Sequence, residues 1–263
     1  MSRSIGKCAE ERAISALDNH VWRARCHYRH RRSPIIPTNS DGTAVGTLAL
    51  GATGAYNSHF ITLAQNLIAA GESTAYLRLG WEFDGGSYAW SATTPPAEAS
   101  FASYFQQIVT AMREVAGEKF RFVWNPDADA FTTSDYNVPL AYPGDAYVDD
   151  IGLDAYDQTW VTPQTPANAW NDTTLPELTA ARRFSALHGK PIAITEWGVA
   201  IRTDGHGLGD DPLYVNNFTA WKNPNDDVTY ESHFNDNTTG SGSTDLTGGS
   251  FPYSLAAFTA DLG

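Results

Sequence analysis

Residues 74–90 read TAYLRLGWEFDGGSYAW, and this stretch decides both the fold and the first candidate site. Its first half, residues 75–81, is apolar and β-prone apart from Arg78, which predicts a buried strand that ends at Glu82. The DGG sequence at residues 84–86 then predicts a turn. Because side chains alternate along a strand, Arg78 and Glu82 would share one face. A structural ion pair and a functional carboxylate explain this stretch equally well when it is taken alone.

A second stretch, residues 190–198, has the same organisation and reads KPIAITEWG. A short apolar β run again ends in a glutamate, Glu196, which tryptophan and glycine follow. Two core strands that each end in a glutamate beside aromatic residues predict one site with two carboxylates. Glycoside hydrolysis uses such a pair, since one carboxyl protonates the leaving oxygen and the other attacks or activates water. The two stretches together therefore indicate a glycosidase.

Length and composition narrow the class of protein. The chain has 263 residues, which suits one α/β barrel of about 250 residues. Its formal net charge of −13 argues against nucleic acid or an anionic membrane as a partner. No run approaches the roughly 18 apolar residues of a membrane span. A neutral polysaccharide is compatible with all three observations.

The apolar runs and their spacing predict an alternation of strands and helices. Six strands are predicted, at residues 35–37, 75–81, 120–124, 148–153, 191–195 and 228–234. Strand–helix repetition implies parallel pairing with right-handed crossovers. Six such units predict a (β/α)8 TIM barrel that lacks its first two βα units. The open sheet edges of such a barrel would make the chain weakly stable.

Residues 1–34 differ in composition from the rest of the chain. They hold 8 of the 17 Lys and Arg and both cysteines, Cys8 and Cys26. Two cysteines eighteen residues apart lack a convincing zinc spacing, and no apolar secretory signal is visible. We therefore predict that residues 1–34 are an atypical basic segment outside the fold. Residues 35–263 are predicted to form a single catalytic barrel.

Residues 202–212 form a glycine- and aspartate-rich loop that reads RTDGHGLGDDP. A calcium loop is one interpretation, but the spacing of its oxygen ligands does not fit an EF-hand. We interpret the segment as an active-site loop instead, with His206 and Asp211 as candidate contacts at its rim.

The two glutamate stretches resemble the motifs of glycoside hydrolase family 26, which contains β-mannanases and relatives on a retaining (β/α)8 barrel. RLGWEFDGG at residues 78–86 is similar to the acid/base motif, and ITEWG at residues 194–198 is similar to the nucleophile motif. The likeness extends through residues 120–126 and 147–157 and covers roughly Pro34 to the C-terminus. The family usually has His-Glu-Met-Asn where this chain reads Trp-Glu-Phe-Asp.

The resemblance implies roles for four residues. Glu82 falls on the acid/base and Glu196 on the nucleophile, and a retaining pair of carboxyls lies about 5–5.5 Å apart. Arg78 falls on the arginine four residues before the acid/base, and Tyr156 on a tyrosine that supports the nucleophile. Further candidates for substrate binding lie at strand ends and in aromatic loops: Trp81, Trp90, Asn125, Trp160 and Trp197. Core packing explains each of these tryptophans equally well.

The expected activity is that of a retaining endo-β-glycosidase, with β-1,4-mannan as the substrate that the resemblance implies. A β-glucanase or xylanase of the same clan is an alternative, as is a carbohydrate-binding barrel without catalysis. No metal and no organic cofactor are expected. The resemblance further implies an extracellular monomer whose partner is a polysaccharide or oligosaccharide.

Overall fold

The computed structural model describes residues 30–39, 43–132, 138–222, 227–236 and 242–262. The strands in chain order are β1 (His30–Ser33), β2 (Tyr76–Leu79), β3 (Arg121–Trp124), β4 (Asp150–Asp157), β5 (Ile192–Val199), β6 (Ile201–Arg202), β7 (Val228–His233) and β8 (Gly242–Ser243). The helices are α1 (Leu48–Gly51), α2 (Asn57–Ala69), α3 (Pro95–Arg113), α4 (Val138–Ala141), α5 (Pro166–Ala169), α6 (Leu175–His188), α7 (Pro212–Lys222) and α8 (Pro252–Leu262). No helix within these ranges is both long enough and apolar enough to cross a membrane.

Six of the strands form one sheet in the order β1-β2-β3-β4-β5-β7. The pairings from β1 to β4 are parallel, and Tyr76 of β2 lies opposite His30 on one side and Arg121 on the other. Short strands β6 and β8 pair separately and antiparallel. The sheet and the helices between its strands fit a partial (β/α)8 barrel, which confirms the predicted fold class at this level.

The first strand differs from its prediction. It lies at His30–Ser33 rather than at residues 35–37. Its polar residues carry no strand signal, yet Arg31 pairs with the buried carboxylate of Glu72 and the guanidinium of Arg32 lies 5.1 Å from the Trp81 ring centroid. These four residues therefore belong to the sheet, although we predicted residues 1–34 to be outside the fold. Residues 1–29, with both cysteines, lie outside the described residues, so the prediction for them and for the first two βα units stays a prediction.

The described residues divide into two compact units, and strands β4 and β5 each contribute residues to both. One unit comprises the described residues between 30 and 154 and between 177 and 193. Its core is built largely from the inner face of α3, where Phe101, Phe105 and Ile108 recur at helical spacing and are fully buried. They belong to the same apolar cluster as Leu77 of β2 and Phe122 of β3. This core fixes the strands whose carboxyl ends carry Glu82 and Asn125.

The second unit contains residues 155–176 and 194–263. Helices α7 and α8 pack against each other within it. Trp197 of β5 stacks on Phe218 of α7 with the ring centroids 4.6 Å apart, and Phe258 of α8 lies 5.8 Å from the same tryptophan. These aromatic contacts anchor the half of β5 that carries Glu196.

Candidate active site

Glu82 lies in the turn after β2 rather than on the strand. Strand β2 ends at Leu79, and Gly80 and Glu82 both have positive φ angles, +59° and +47°. The predicted alternation that would put Arg78 and Glu82 on one strand face therefore ends before Glu82. Its amide donates a hydrogen bond to the Asn125 carbonyl at 2.8 Å, which ties the turn to the end of β3. A left-handed conformation at a residue with a Cβ costs about 1–2 kcal/mol, and such strain clusters at functional sites.

An aromatic group orients the Glu82 side chain. The Tyr88 hydroxyl donates to Glu82 Oε2 at 2.9 Å. Tyr88 stacks on Trp90 with centroids 4.7 Å apart, and the Trp90 indole N–H donates to the Trp81 carbonyl at 2.8 Å. Trp81 and Trp90 are only 8% and 6% exposed, so in this structure they pack around the turn and offer little surface to a sugar. The sequence analysis missed Tyr88, although it lies only six residues after the glutamate.

Arg78 and Asn125 form a buried polar link beneath this turn. Arg78 Nη2 donates to Asp154 at 2.6 Å, and its Nε donates to Asn125 Oδ1 at 2.6 Å. Both Arg78 and Asn125 are fully buried. Both side chains bond to other protein groups in this structure, and substrate binding by Arg78 and Asn125 stays a prediction. A carboxylate oxygen of Asp154 lies within 4.8 Å of one of Glu82, which connects this link to the turn.

Three further carboxylates gather next to Glu82. Asp84, Asp127 and Asp129 each place an oxygen within 4.8 Å of the others, an arrangement that could hold a cation and that also occurs without one. Burial, reinforced by the charges of Asp129 and Glu82, raises the pKa of Asp84 to about 7. Burial and the Glu82 charge raise the pKa of Asp127 well above its usual range. The sequence analysis missed this group because its members come from two separate strand ends.

Glu196 lies on β5 with its carboxylate almost fully buried. Tyr156 of β4 donates a hydrogen bond to Glu196 Oε2 at 2.6 Å. Strand β4 continues to Asp157, beyond the predicted end at residue 153, and this extension places Tyr156 beside Glu196. This hydrogen bond holds the Glu196 carboxylate in one orientation, as attack by a nucleophile requires.

Trp197, which follows the candidate nucleophile, is fully buried. Besides stacking on Phe218, it lies 5.4 Å from the Lys222 ammonium. Side chains alternate along a strand, so Trp197 points away from the face that carries Glu196. Of the two interpretations given for Trp197, its burial and stacking fit core packing, and a role as a surface for sugar stays an untested prediction.

Trp160 is the candidate tryptophan with substantial exposed surface, at 57%. His206 stacks on it with centroids 4.8 Å apart and planes 25° apart. Arg202 lies 5.8 Å from the ring centroid and is held by Gln158 at 2.8 Å. His206 Nδ1 in turn lies 3.0 Å from the Gln164 side-chain nitrogen. These contacts fix an exposed aromatic ring, which is the form that a stacking site for sugar takes. The other candidate rim contact, Asp211, is instead 3% exposed.

Comparisons with known proteins agree with the fold and the Glu82 motif. The model of glycosyl hydrolase family 26 matches residues 59–187, just under half of the chain. This match includes Glu82 and ends before Glu196. A mannan endo-1,4-beta-mannosidase from Bifidobacterium adolescentis is 25% identical over 114 residues, which are 43% of this chain and 11% of that protein.

Two solved structures share the fold. A modular endo-β-1,4-mannanase from Cellulomonas fimi aligns with a TM-score of 0.59 and 20% identity, over 83% of this chain and 51% of that one. GH26C from Muricauda sp. aligns with a TM-score of 0.56 and 16% identity, over 87% of this chain and 64% of that one. The chain therefore spans less than two thirds of the length of each of these relatives. The family match and the shared fold together confirm the resemblance of this chain to glycosyl hydrolase family 26.

Proposed function

We propose that this protein is a retaining glycoside hydrolase that cleaves β-1,4-mannan within the polymer. The observation that carries the proposal is the 2.6 Å hydrogen bond from Tyr156 to the buried carboxylate of Glu196. The resemblance to the family predicted this pair of residues, and a carboxylate held in this way is suited to nucleophilic attack. The mannan specificity rests on the relatives that are described as mannanases.

In this proposal the two glutamates divide the reaction between them. Glu82 donates a proton to the leaving glycosidic oxygen while Glu196 attacks the anomeric carbon and forms a covalent glycosyl ester. Glu82 then accepts a proton from the water that hydrolyses the ester, so the product keeps the β configuration.

A β-glucanase or a xylanase is the second candidate. It is favoured by one observation, because buried Trp81 stands where the family usually has a histidine. The indole of tryptophan has an N–H donor but no acceptor, so it cannot accept a hydrogen bond from a sugar hydroxyl as a histidine can. Retaining hydrolysis is therefore proposed whichever of the three polymers is the substrate, and an assay on each polymer identifies the substrate.

The experiment compares the parent with Glu82→Gln and Glu196→Ala on mannan, mixed-linkage glucan and xylan. Each variant should lose most turnover, since general acid–base catalysis alone is worth about 10²–10⁴-fold. Azide should restore turnover of an activated aryl glycoside to Glu196→Ala, and proton NMR should detect the β-anomer first. Glu114→Gln, which changes an exposed glutamate at the end of α3, is the matched control and should keep parental turnover.

Three results would count against the proposal. Parental hydrolysis by both variants would remove Glu82 and Glu196 from the chemistry. An α-anomer as the first product would show inversion. Binding of mannan in affinity electrophoresis without any turnover by the parent would instead support a carbohydrate-binding barrel.

A further inference from the structure

Asp157 is the last residue of β4, and the proposed reaction does not use its carboxylate. The residue is 1% exposed, and neither Oδ1 nor Oδ2 has a hydrogen-bond partner among the described residues. An ionised carboxylate buried in this way is strongly destabilising unless something pairs with it. The group must therefore be protonated or bind a partner of opposite charge.

A second buried carboxylate lies close by. Asp211 immediately precedes α7, and its Oδ1 accepts hydrogen bonds from the amides of Leu213 at 2.8 Å and Tyr214 at 3.3 Å. Its other oxygen, Oδ2, is buried and has no hydrogen-bond partner among the described residues. The Leu208 amide donates to the backbone carbonyl of Asp157 at 3.4 Å, so the loop before α7 runs against the end of β4.

No basic side chain of the described ranges balances these charges. Burial, followed by the negative charge of Asp211, raises the pKa of Asp157 to about 8. Burial also raises the pKa of Asp211, and the negative charge of Asp210 acts in the same direction. Asp210 itself accepts amide hydrogen bonds from Tyr253 and Ser254 at the start of α8. Among the described residues, the region is thus rich in carboxylates, and no basic side chain is among the charges that act on Asp157 and Asp211.

We propose that Asp157 and Asp211 bind a calcium ion between the end of β4 and the start of α7. Calcium takes six to eight oxygen ligands in flexible geometry, from carboxylates, backbone carbonyls and water. The unpartnered oxygens Asp157 Oδ1, Asp157 Oδ2 and Asp211 Oδ2 supply the charged ligands. Loop carbonyls and water supply the remainder. The EF-hand spacing that the loop lacks is not required here, because one ligand comes from a distant strand.

The ion has a structural role in this proposal. It joins the loop of residues 202–212 to β4, next to Tyr156 and three residues before Trp160. Both carboxylates can then stay ionised at neutral pH, since the cation replaces the hydration that each lost on burial. This site is separate from the proposed reaction and does not depend on it.

The first test measures the melting temperature of the full chain at pH 7.5 after treatment with EDTA and dialysis. Added Ca²⁺ should raise the melting temperature with the logarithm of its concentration above Kd, by about 5 °C at roughly a hundredfold excess over Kd. Sodium chloride at matched ionic strength should not reproduce the rise. Asp157→Asn should abolish it, because the amide removes one charge while keeping the shape. Asp204→Asn, in the same loop but paired with Arg202, is the matched control and should keep it.

A second measurement covers the case in which Asp157→Asn fails to fold. Terbium luminescence measures binding of the ion to the parent protein. Aromatic side chains such as Tyr214, whose backbone amide donates a hydrogen bond to Asp211, sensitise this luminescence. Calcium should displace the terbium, and Asp211→Asn should weaken its binding at least tenfold.

The proposal is overturned if calcium leaves the parental melting temperature unchanged or shifts Asp157→Asn equally. A terbium signal that calcium does not displace would overturn it as well. If calcium does not change the melting temperature of the parent and Asp157→Asn melts at a higher temperature than the parent, the buried carboxyl is protonated and binds no ion.

Discussion

At the scale of single residues, Glu82 combines an unfavourable backbone conformation with a proposed catalytic role. Its φ of +47° is rare for a residue with a Cβ and easily adopted by glycine. Glu82→Ala and Glu82→Gly both remove the carboxylate and the hydrogen bond from Tyr88, but only glycine removes the strain. We expect both to lose activity and the glycine variant to be more stable by about 1 kcal/mol.

Urea denaturation of the two Glu82 variants checks this prediction, because the alanine variant serves as the control for lost contacts. A glycine variant that is less stable than the alanine variant would show that the turn is not strained.

Tyr156 tests whether the hydrogen bond to Glu196 contributes to turnover. Tyr156→Phe keeps the aromatic ring and removes the hydroxyl that donates the 2.6 Å hydrogen bond. Hydrogen bonds to charged groups are worth about 1.5–3 kcal/mol, so kcat should fall roughly 10- to 100-fold. Tyr253→Phe, which changes an exposed tyrosine on α8, should leave kcat unchanged. If steady-state kinetics gave Tyr156→Phe a kcat within twofold of the parent, Tyr156 would not support the nucleophile.

At the scale of elements, Arg78 and Asp154 join β2 to β4 through a buried ion pair of 2.6 Å. Arg78→Met leaves the Asp154 charge without its partner in the core, which should cost about 3–5 kcal/mol of unfolding free energy. Replacing both residues, as Arg78→Met with Asp154→Leu, should cost less than the sum of the single changes. A double-mutant cycle by urea denaturation measures this difference, and strictly additive costs would contradict the proposed link.

His30 makes the stability of β1 depend on pH. Burial, and then the positive charge of Arg78, lowers the pKa of His30 from 6.5 to about 3. The unfolded chain therefore binds more protons at this residue between pH 6.5 and 3, so its contribution to stability is complete above pH 6.5 and declines as the pH falls. His30→Gln should show a weaker loss of stability than the parent between pH 7 and pH 4 in urea denaturation. Equal slopes for the two proteins would contradict a buried neutral His30.

Helices and strands differ in how well their limits follow from sequence. Helix α6 ends at His188, immediately before Gly189, and a glycine at that position is a signal that the sequence itself displays. Strands β1, β4 and β5 differ from prediction at their ends. Polar residues there, such as Arg31 and Asp150, pair with neighbouring strands. An apolar run marks only the part of a strand that apolar neighbours cover. The remainder is stabilised by backbone pairing and by partners distant in sequence.

At the scale of the whole molecule, the net charge of −13 and the sequence pI of about 4.8 predict the behaviour in solution. Repulsion between like charges keeps such a protein dispersed at neutral pH and vanishes near the pI. We expect a solubility minimum between about pH 4.5 and 5, with recovery at pH 7. Turbidity measured across this range in low salt checks the prediction, and equal solubility at pH 4.8 and pH 7 would contradict it.

The sequence by itself determined the fold class, the family resemblance and the two candidate glutamates. These follow from local signals, since an apolar β run that ends in a glutamate, with tryptophan and glycine beside it, is visible within ten residues. Glu82 and Glu196 are therefore identifiable from the order of amino acids alone, and Tyr156 is identifiable through the resemblance.

The tertiary structure alone decided which side chains are covered. Arg78, Asn125 and Trp197 have the composition of binding residues but are fully buried, whereas Trp160 is exposed. Only folding brings Asp157 and Asp211 together, 54 positions apart in the chain, and leaves their oxygens without partners among the described residues. The physical reason is that burial and charge balance are sums over neighbours from distant segments, so neither is encoded in any single stretch of sequence.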